Sequence, residues 1–281
     1  MDTIEIPVGE YRFRARVTGP ENGRLVLLLH GFPQSSLAWR RQLATLAEAG
    51  YRAVAPDQRG YSPKARPEGV EHYATDHLVA DALAIVDEMG GHKVDVVGHD
   101  WGAWVAWQLA ARYPERLRTL TAVSVPHPVA LSEAILSGKG DQAARSAYIA
   151  FFRQEGIAEK TLLLNDGDGL RKMLAATGLP DSDADTYVGL MREPGALTAA
   201  LNWYRAVSPE DAQGMAPITT PTMYVWSDQD VALGRHAAEA TAAQVEGPYR
   251  FEVLEGVSHW IPEVAADQLD CLLLEHLAAW K

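Results

Sequence analysis

Hydrophobic runs that are typical of buried strands alternate with helical patterns along most of the chain. The runs cover residues 25–29, 51–55, 94–97, 117–123, 222–226 and 251–254. Between and after them, apolar residues recur at helical spacing over 39–49, 78–89, 103–112 and 237–243, and again from about 263. This alternation predicts an α/β fold with a mostly parallel sheet and helices on both of its faces.

The alternation is interrupted in the middle of the chain. After the Pro-His-Pro stretch at 126–128, residues 129–213 show helical and loop patterns but no run typical of a strand. We therefore predict an α/β core in two parts, residues 1–128 and 216–281, with a helical cap domain, residues 129–215, inserted between them.

Composition narrows the classes of function. A formal net charge of −12 disfavours nucleic acids and anionic membranes as partners, and no apolar run reaches the roughly 20 residues that span a bilayer. The N-terminus lacks the pattern of a signal peptide, so we expect a cytoplasmic protein. In the last helical segment we expect the single cysteine, Cys271, to be buried and His276 to be solvated.

Candidate chemistry begins at the sequence VVGHDWGAW, residues 96–104. A strand followed by small–x–nucleophile–x–small and then a helix is the pattern of a nucleophile elbow, in which Gly98 and Gly102 permit a tight turn around Asp100. A carboxylate with an ordinary pKa of about 3.9 is ionised at neutral pH and attacks without a base. Its suitable target is a saturated carbon with a leaving group, and the product is an alkyl ester on the enzyme.

Further motifs supply the groups that such an ester needs for hydrolysis. The loop HGFP after an early strand and the residue after the nucleophile nominate the N–H groups of Phe32 and Trp101 as an oxyanion hole. His259, after the last strand, is the candidate base for a water molecule. The acid that orients its ring should follow a strand before it, where SDQD offers Asp230, which we prefer, and Asp228 as the alternative.

The leaving group decides the reaction. An epoxide oxygen leaves as an alkoxide and needs an acid, whereas a halide leaves as a stable anion. Tyr148 and Tyr204, both in the helical insertion, are candidate acids. Taken alone, their context is more typical of aromatic residues that pack between helices.

At this point the chain resembles the α/β-hydrolase-fold epoxide hydrolases over nearly its whole length. The resemblance lies in HGFP, GHDWG, YIAFFRQEG, LNWYR, SDQD and SHW. It implies that Asp100 is the nucleophile, Asp230 the acid, His259 the base, and Tyr148 and Tyr204 the proton donors to the epoxide oxygen.

The resemblance also implies a cis peptide bond between Phe32 and Pro33. We expect an apolar epoxide to contact side chains beside these groups, namely Phe32, Trp101, Trp203 and Phe151. The expected protein uses no cofactor and no metal, and it is either a monomer or a homodimer.

Two alternatives remain. A haloalkane or haloacid dehalogenase would use the same aspartate, and GHDWG is shared with haloalkane dehalogenases. The Trp101 indole could then hold a halide. Against this, many of those enzymes have Asn where Phe32 stands, and fluoroacetate dehalogenases have Arg where Trp101 stands. The other alternative is a non-catalytic binding protein that retains the fold.

Overall fold

One sheet of eight strands organises the molecule. The computed structural model describes residues 1–280, apart from the side chain of Pro209. The spatial order of the strands is β1-β2-β4-β3-β5-β6-β7-β8. The strands are β1 (Asp2–Val8), β2 (Tyr11–Thr18), β3 (Leu25–Leu29), β4 (Arg52–Pro56), β5 (Val94–His99), β6 (Leu117–Val123), β7 (Thr222–Gln229) and β8 (Tyr249–Ser258).

Helices connect the strands and cover the sheet. The helices are α1 (Arg40–Glu48), α2 (Thr75–Glu88), α3 (Trp101–Arg112), α4 (Pro128–Ser137), α5 (Gln142–Arg145), α6 (Tyr148–Phe152), α7 (Ile157–Leu162), α8 (Leu164–Ala176), α9 (Asp181–Met191), α10 (Ala196–Ala206), α11 (Arg235–Ala240), α12 (Ile261–Val264) and α13 (Ala266–Ala279). Short 3₁₀ turns lie at Ser36–Trp39, Val70–Tyr73, Pro114–Arg116, Pro209–Asp211 and Thr241–Gln244. No helix within residues 1–280 is long and apolar enough to cross a membrane.

Strand pairing confirms the predicted mostly parallel sheet. Six neighbouring strands are parallel to one another, in the order β4, β3, β5, β6, β7 and β8. The pairs β1–β2 and β2–β4 are antiparallel. The β1–β2 hairpin at the sheet edge was not predicted. Its outward positions are charged, and only Ile6, Phe13 and Ala15 are buried along it, so no continuous hydrophobic run marks these strands.

The two faces of the sheet bury separate hydrophobic clusters. In β3, Leu27 and Leu29 face the cluster that α2 and α3 cover, while Val26 and Leu28 face the cluster that α1 and α13 cover. All five residues of β3 are buried for this reason. Full burial of a leucine or valine side chain contributes roughly 1.5–3 kcal/mol, so this strand is a rigid base for the loop that follows it.

A run of seven helices, α4 to α10, lies between β6 and β7, where the sequence predicted an insertion without strands. It is anchored to the core by polar contacts as well as by packing. The indole N–H of Trp203 in α10 donates to the carbonyl oxygen of Arg59 at 3.0 Å, and the Arg66 side chain reaches the Pro194 carbonyl at 2.9 Å. These contacts hold α10 and the turn before it against the segment that follows β4.

Two expectations for the last helix are wrong. Cys271 is exposed, and His276 is only 5% exposed. Helix α13 turns Leu269, Leu273 and Leu277 toward the sheet. Residue 276 lies next to that face, and residue 271 lies on the opposite one.

Candidate active site

Asp100 occupies a sharp turn between β5 and α3. Its backbone has φ 52° and ψ −121°, a conformation that L-residues rarely adopt. A side chain on Gly98 would place Cβ 2.2 Å from the Gly102 carbonyl oxygen, and one on Gly102 would place Cβ 2.0 Å from the Leu29 carbonyl oxygen. The turn therefore needs glycine on both sides, as the elbow pattern requires.

The loop after β3 reaches this turn and donates to the carboxylate. The N–H of Phe32 donates to Asp100 Oδ1 at 2.7 Å, and the peptide bond between Phe32 and Pro33 is cis, which confirms that prediction. Gly31 lets the loop approach, since a Cβ there would lie 2.2 Å from Asp100 Oδ1. Burial raises the pKa of Asp100, while the charge of His259 and the N–H groups of Phe32 and Trp101 partly oppose the rise.

The imidazole of His259 lies between two carboxylates. Its Nδ1 is 2.7 Å from Asp230 Oδ2, and its Nε2 is 3.7 Å from Asp100 Oδ2. The other oxygen of Asp230 accepts from the N–H groups of Ala232 and Leu233 at 2.7 and 3.0 Å. The alternative carboxylate, Asp228, accepts from the Gly256 N–H, so the structure brings Asp230 to the histidine.

The two neighbouring carboxylates determine the charge of His259. Burial alone would lower its pKa, but the negative charges of Asp230 and Asp100 and the hydrogen bond to Asp230 outweigh this effect and raise the pKa to about 9. The imidazole is therefore protonated at neutral pH while Asp100 carries its charge.

Tyr148 and Tyr204 meet above Asp100. Their ring centroids are 6.2 Å apart, and the ring of Phe152 contacts both at 5.2 and 4.9 Å. Tyr204 also lies edge-on to Trp101, with centroids 4.9 Å apart. Burial raises the pKa of both tyrosines, and the negative charge of Asp100 raises it further, so both hydroxyl groups keep their protons.

A cavity of about 650 Å³ opens beside these residues. Its wall is largely apolar, and most of the lining comes from α3, α4, α6 and the end of α10. The lining residues are Asp100, Trp101, Trp104, Val125, Pro128, Leu131, Ser132, Ile135, Leu136, Ser146, Tyr148, Ile149, Ala150, Arg153, Tyr204, Val207, Ser208, Ala212, Ala232 and Leu233.

Of the four predicted substrate-contacting side chains, only Trp101 lines this cavity. Trp203 is fully buried and packs against Tyr61, since it lies about 100° around α10 from Tyr204. Phe151 packs against the neighbouring Phe152, and the ring of Phe32 is covered by the rings of Phe152 and Tyr204. The expectation of direct cavity contact is therefore wrong for these three rings.

Four residues near the site were not singled out from the sequence. His99 precedes Asp100, and its Nε2 lies 2.9 Å from the carbonyl oxygen of His259. Gln34 and Glu263 contact each other beside it, and the buried hydroxyl of Tyr61 has no partner within residues 1–280. His99, Gln34 and Glu263 lie within four residues of a predicted site residue, which is the one signal the sequence offered.

The part of the chain that the structure describes contains no candidate metal-binding site. Within residues 1–280, no group of three or more His, Cys, Asp or Glu side chains could hold a metal ion. The chemical groups that converge on the cavity are a carboxylate with N–H donors, an imidazole paired with a second carboxylate, and two phenols.

Such a fold and such a site are those of an α/β hydrolase. The family model described as "alpha/beta hydrolase fold" matches residues 24–266, and the chain belongs to this family. Among curated relatives, Epoxide hydrolase 4 of Mus musculus is 34% identical over 96% of this chain and 77% of its own length. Epoxide hydrolase A of Mycobacterium tuberculosis is 30% identical over 95% and 94%, so the chain belongs more narrowly to the epoxide hydrolase family of enzymes.

Another relative and two solved structures extend the comparison. The AB hydrolase superfamily protein YfhM of Bacillus subtilis is 38% identical over 92% of each chain. A Bacillus megaterium epoxide hydrolase in complex with an inhibitor superimposes with a TM-score of 0.88 at 26% identity, covering 98% of this chain and 100% of the other. Epoxide Hydrolase A from Mycobacterium thermoresistibile gives a TM-score of 0.84 at 27% identity, covering 100% and 99%.

Proposed function

We propose that this protein hydrolyses an apolar epoxide to a vicinal diol through an ester on Asp100. The observation that carries the proposal is the convergence of Asp100, His259 and two protonated tyrosines on one apolar cavity. The relatives named as epoxide hydrolases support the same reaction at an ether bond. Residues 129–215 then serve as a cap domain that supplies Tyr148 and Tyr204.

The first half-reaction forms the ester. A carboxylate oxygen of Asp100 attacks one epoxide carbon, and the bond between that carbon and the ring oxygen breaks. The ring oxygen takes a proton from Tyr148 or Tyr204, because an alkoxide released in an apolar cavity would be costly. The apolar wall favours substrates with apolar substituents.

The second half-reaction hydrolyses the ester. His259, which is protonated in the free enzyme, first gives its proton to the tyrosinate that ring opening leaves. The neutral imidazole then takes a proton from a water molecule, which attacks the carbonyl carbon of the ester, while Asp230 holds the imidazole ring. The N–H groups of Phe32 and Trp101 stabilise the oxyanion that forms on Asp100. Breaking the ester bond releases the second alcohol oxygen, which takes a proton from His259, and the proton of the new carboxylic acid passes to the imidazole, which restores the charges of the free enzyme.

One observation favours dehalogenation as a second candidate. The indole Nε1 of Trp101 is buried at the cavity and makes no hydrogen bond of standard geometry within residues 1–280, although it lies close enough to the Tyr204 hydroxyl to oppose the rise in the pKa of that group. It could donate to a halide instead. A halide needs no proton, however, and the two tyrosines above Asp100 would then have no chemical role. Epoxide hydrolysis gives a role to Asp100, to His259 and to both tyrosines.

A single turnover in H₂¹⁸O tests the ester mechanism. With enzyme in excess over an epoxide such as styrene oxide, the label should enter the carboxylate of Asp100 and not the first diol formed. Label in that diol would mean direct attack by water and would refute the ester. Parallel assays measure the release of bromide from bromoalkanes. The proposal is wrong if the rate of bromide release exceeds the rate of opening of every epoxide tested.

A further inference from the structure

Glu263 is a half-buried residue whose carboxyl group the proposed reaction does not use. It lies in α12, four residues after His259, and its Oε1 accepts from Gln34 Nε2 at 2.7 Å and from the Tyr187 hydroxyl at 2.8 Å. Its Oε2 is buried without a partner within residues 1–280. Burial raises the pKa of Glu263 to about 7, so ionising the carboxyl group has a cost that these two donors offset only in part.

The amide of Gln34 has one orientation that satisfies its neighbours. Its Oε1 lies 3.0 Å from the backbone N of Gly31 and 2.8 Å from His99 Nδ1. A backbone N–H is always a donor, so the amide oxygen must face Gly31 and the NH₂ group must face Glu263. A carboxylate at 263, which only accepts, reinforces this orientation.

Through these bonds Gln34 connects three segments of the site. Gly31 precedes Phe32, whose N–H donates to Asp100. His99 directly precedes Asp100, and its Nε2 lies 2.9 Å from the carbonyl oxygen of His259. Burial lowers the pKa of His99 well below its ordinary value, so the neutral ring has one N–H and donates either to Gln34 Oε1 or to this carbonyl oxygen. The Gln34 amide therefore contacts the residue that precedes Phe32, and only the ring of His99 separates it from the backbone of His259.

We propose that Gln34 and Glu263 are positioning residues for ester hydrolysis, and that their function requires an amide at one position facing a carboxylate at the other. The proposal rests on the proposed function, because it concerns the same site. Ester hydrolysis needs both the Phe32 N–H and the His259 base, so it depends more on this alignment than ester formation does.

The decisive experiment exchanges the two side chains. In Q34E, two carboxyl groups face each other at the distance of a hydrogen bond, and they can remain there only if one of them is protonated. In the double variant Q34E/E263Q, the amide of residue 263 donates to the carboxylate at 34. That carboxylate still accepts from Gly31 and faces His99, so the polarity of the bond between residues 34 and 263 is reversed. The Tyr187 hydroxyl then accepts from the amide of residue 263 instead of donating to the carboxylate.

We expect Q34E to slow ester hydrolysis at least tenfold and to slow ester formation less. We expect the rate of ester hydrolysis in Q34E/E263Q to be within about threefold of the wild-type rate. The control E255Q removes an exposed carboxylate from β8 and should match the wild type. Both rates come from quench-flow with styrene oxide and intact-protein mass spectrometry. Thermal melting shows which variants are folded.

The positioning role is wrong if Q34E hydrolyses the ester at the wild-type rate. It is also wrong if the double variant hydrolyses the ester as slowly as Q34E. If Q34E alone does not fold, the double variant decides, since it must both fold and recover hydrolysis. The proposed function fails separately. Absence of any adduct on Asp100 of the wild type would refute the ester mechanism, whereas normal hydrolysis in Q34E would refute only the role of this pair.

Discussion

Removing the hydroxyl groups of Tyr148 and Tyr204 should slow epoxide opening while the fold survives. Tyr→Phe keeps both rings, and the rings make the packing contacts. The ring centroid of Tyr204 lies 4.9 Å from that of Trp101 and 4.9 Å from that of Phe152. The loss should therefore appear in the chemical step and leave thermal stability nearly unchanged.

The magnitude follows from the proton that the epoxide oxygen needs. The conjugate acid of an alkoxide has a pKa near that of water, far above neutral pH. Burial and the charge of Asp100 raise the pKa of both tyrosines, so each keeps its proton until the alkoxide forms. General acid catalysis is worth about 10²–10⁴-fold, or about 2.7–5.4 kcal/mol. Each single variant should lose part of this factor, because the other hydroxyl remains, and the double variant should lose all of it.

Stopped-flow tryptophan fluorescence reports ester formation, since Trp101 lies beside both Asp100 and Tyr204. The matched control is Tyr249→Phe, which removes a buried hydroxyl from β8. A double variant that forms the ester at the wild-type rate would mean that the two tyrosines only pack in the insertion. A Tyr249→Phe variant as slow as the double variant would mean that the loss is not specific to the site.

Further predictions concern the nucleophile and the base. His259→Gln should form the ester and fail to hydrolyse it, leaving one added substrate mass on Asp100 that Asp100→Ala lacks; normal turnover would exclude His259 as the base. Ester formation neutralises Asp100, so the pKa of His259 should fall below its value of about 9. The rate of ester hydrolysis should therefore rise with pH to a plateau. A rate that is flat from pH 5 to 10 would contradict this. Gly102→Ala should destabilise the fold by at least about 1–3 kcal/mol in urea unfolding, because its Cβ would lie 2.0 Å from the Leu29 carbonyl oxygen; unchanged stability would contradict the tight turn.

The sequence allowed the sheet to be predicted where both faces of a strand are buried. In β3 the hydrophobic run and the strand have the same bounds, because a strand that is covered on both faces is largely apolar. The N-terminal hairpin escaped detection for the converse reason. It is an edge pair whose outward side chains are charged, and its pairing rests on backbone hydrogen bonds.

At the site, residues fixed by the backbone were easier to predict than residues fixed by packing. Asp100 follows from its two glycines, and His259 from its position after the last strand. Trp203 could not be separated from Tyr204, because only the rotation of α10 decides which ring reaches the cavity. Glu263 could not be identified at all, since a glutamate near a helix start is ordinarily solvated.

Under the proposed mechanism, the charge of Asp100 orders the two half-reactions. While Asp100 is a carboxylate, it and Asp230 together keep His259 protonated, with a pKa of about 9, so the imidazole cannot act as a base. The same imidazolium stabilises the carboxylate against its burial. Ester formation removes the charge of Asp100 and leaves Asp230 as the one remaining anionic partner in direct contact. The imidazole can then lose its proton and activate water, and it gains this ability only once there is an ester to hydrolyse.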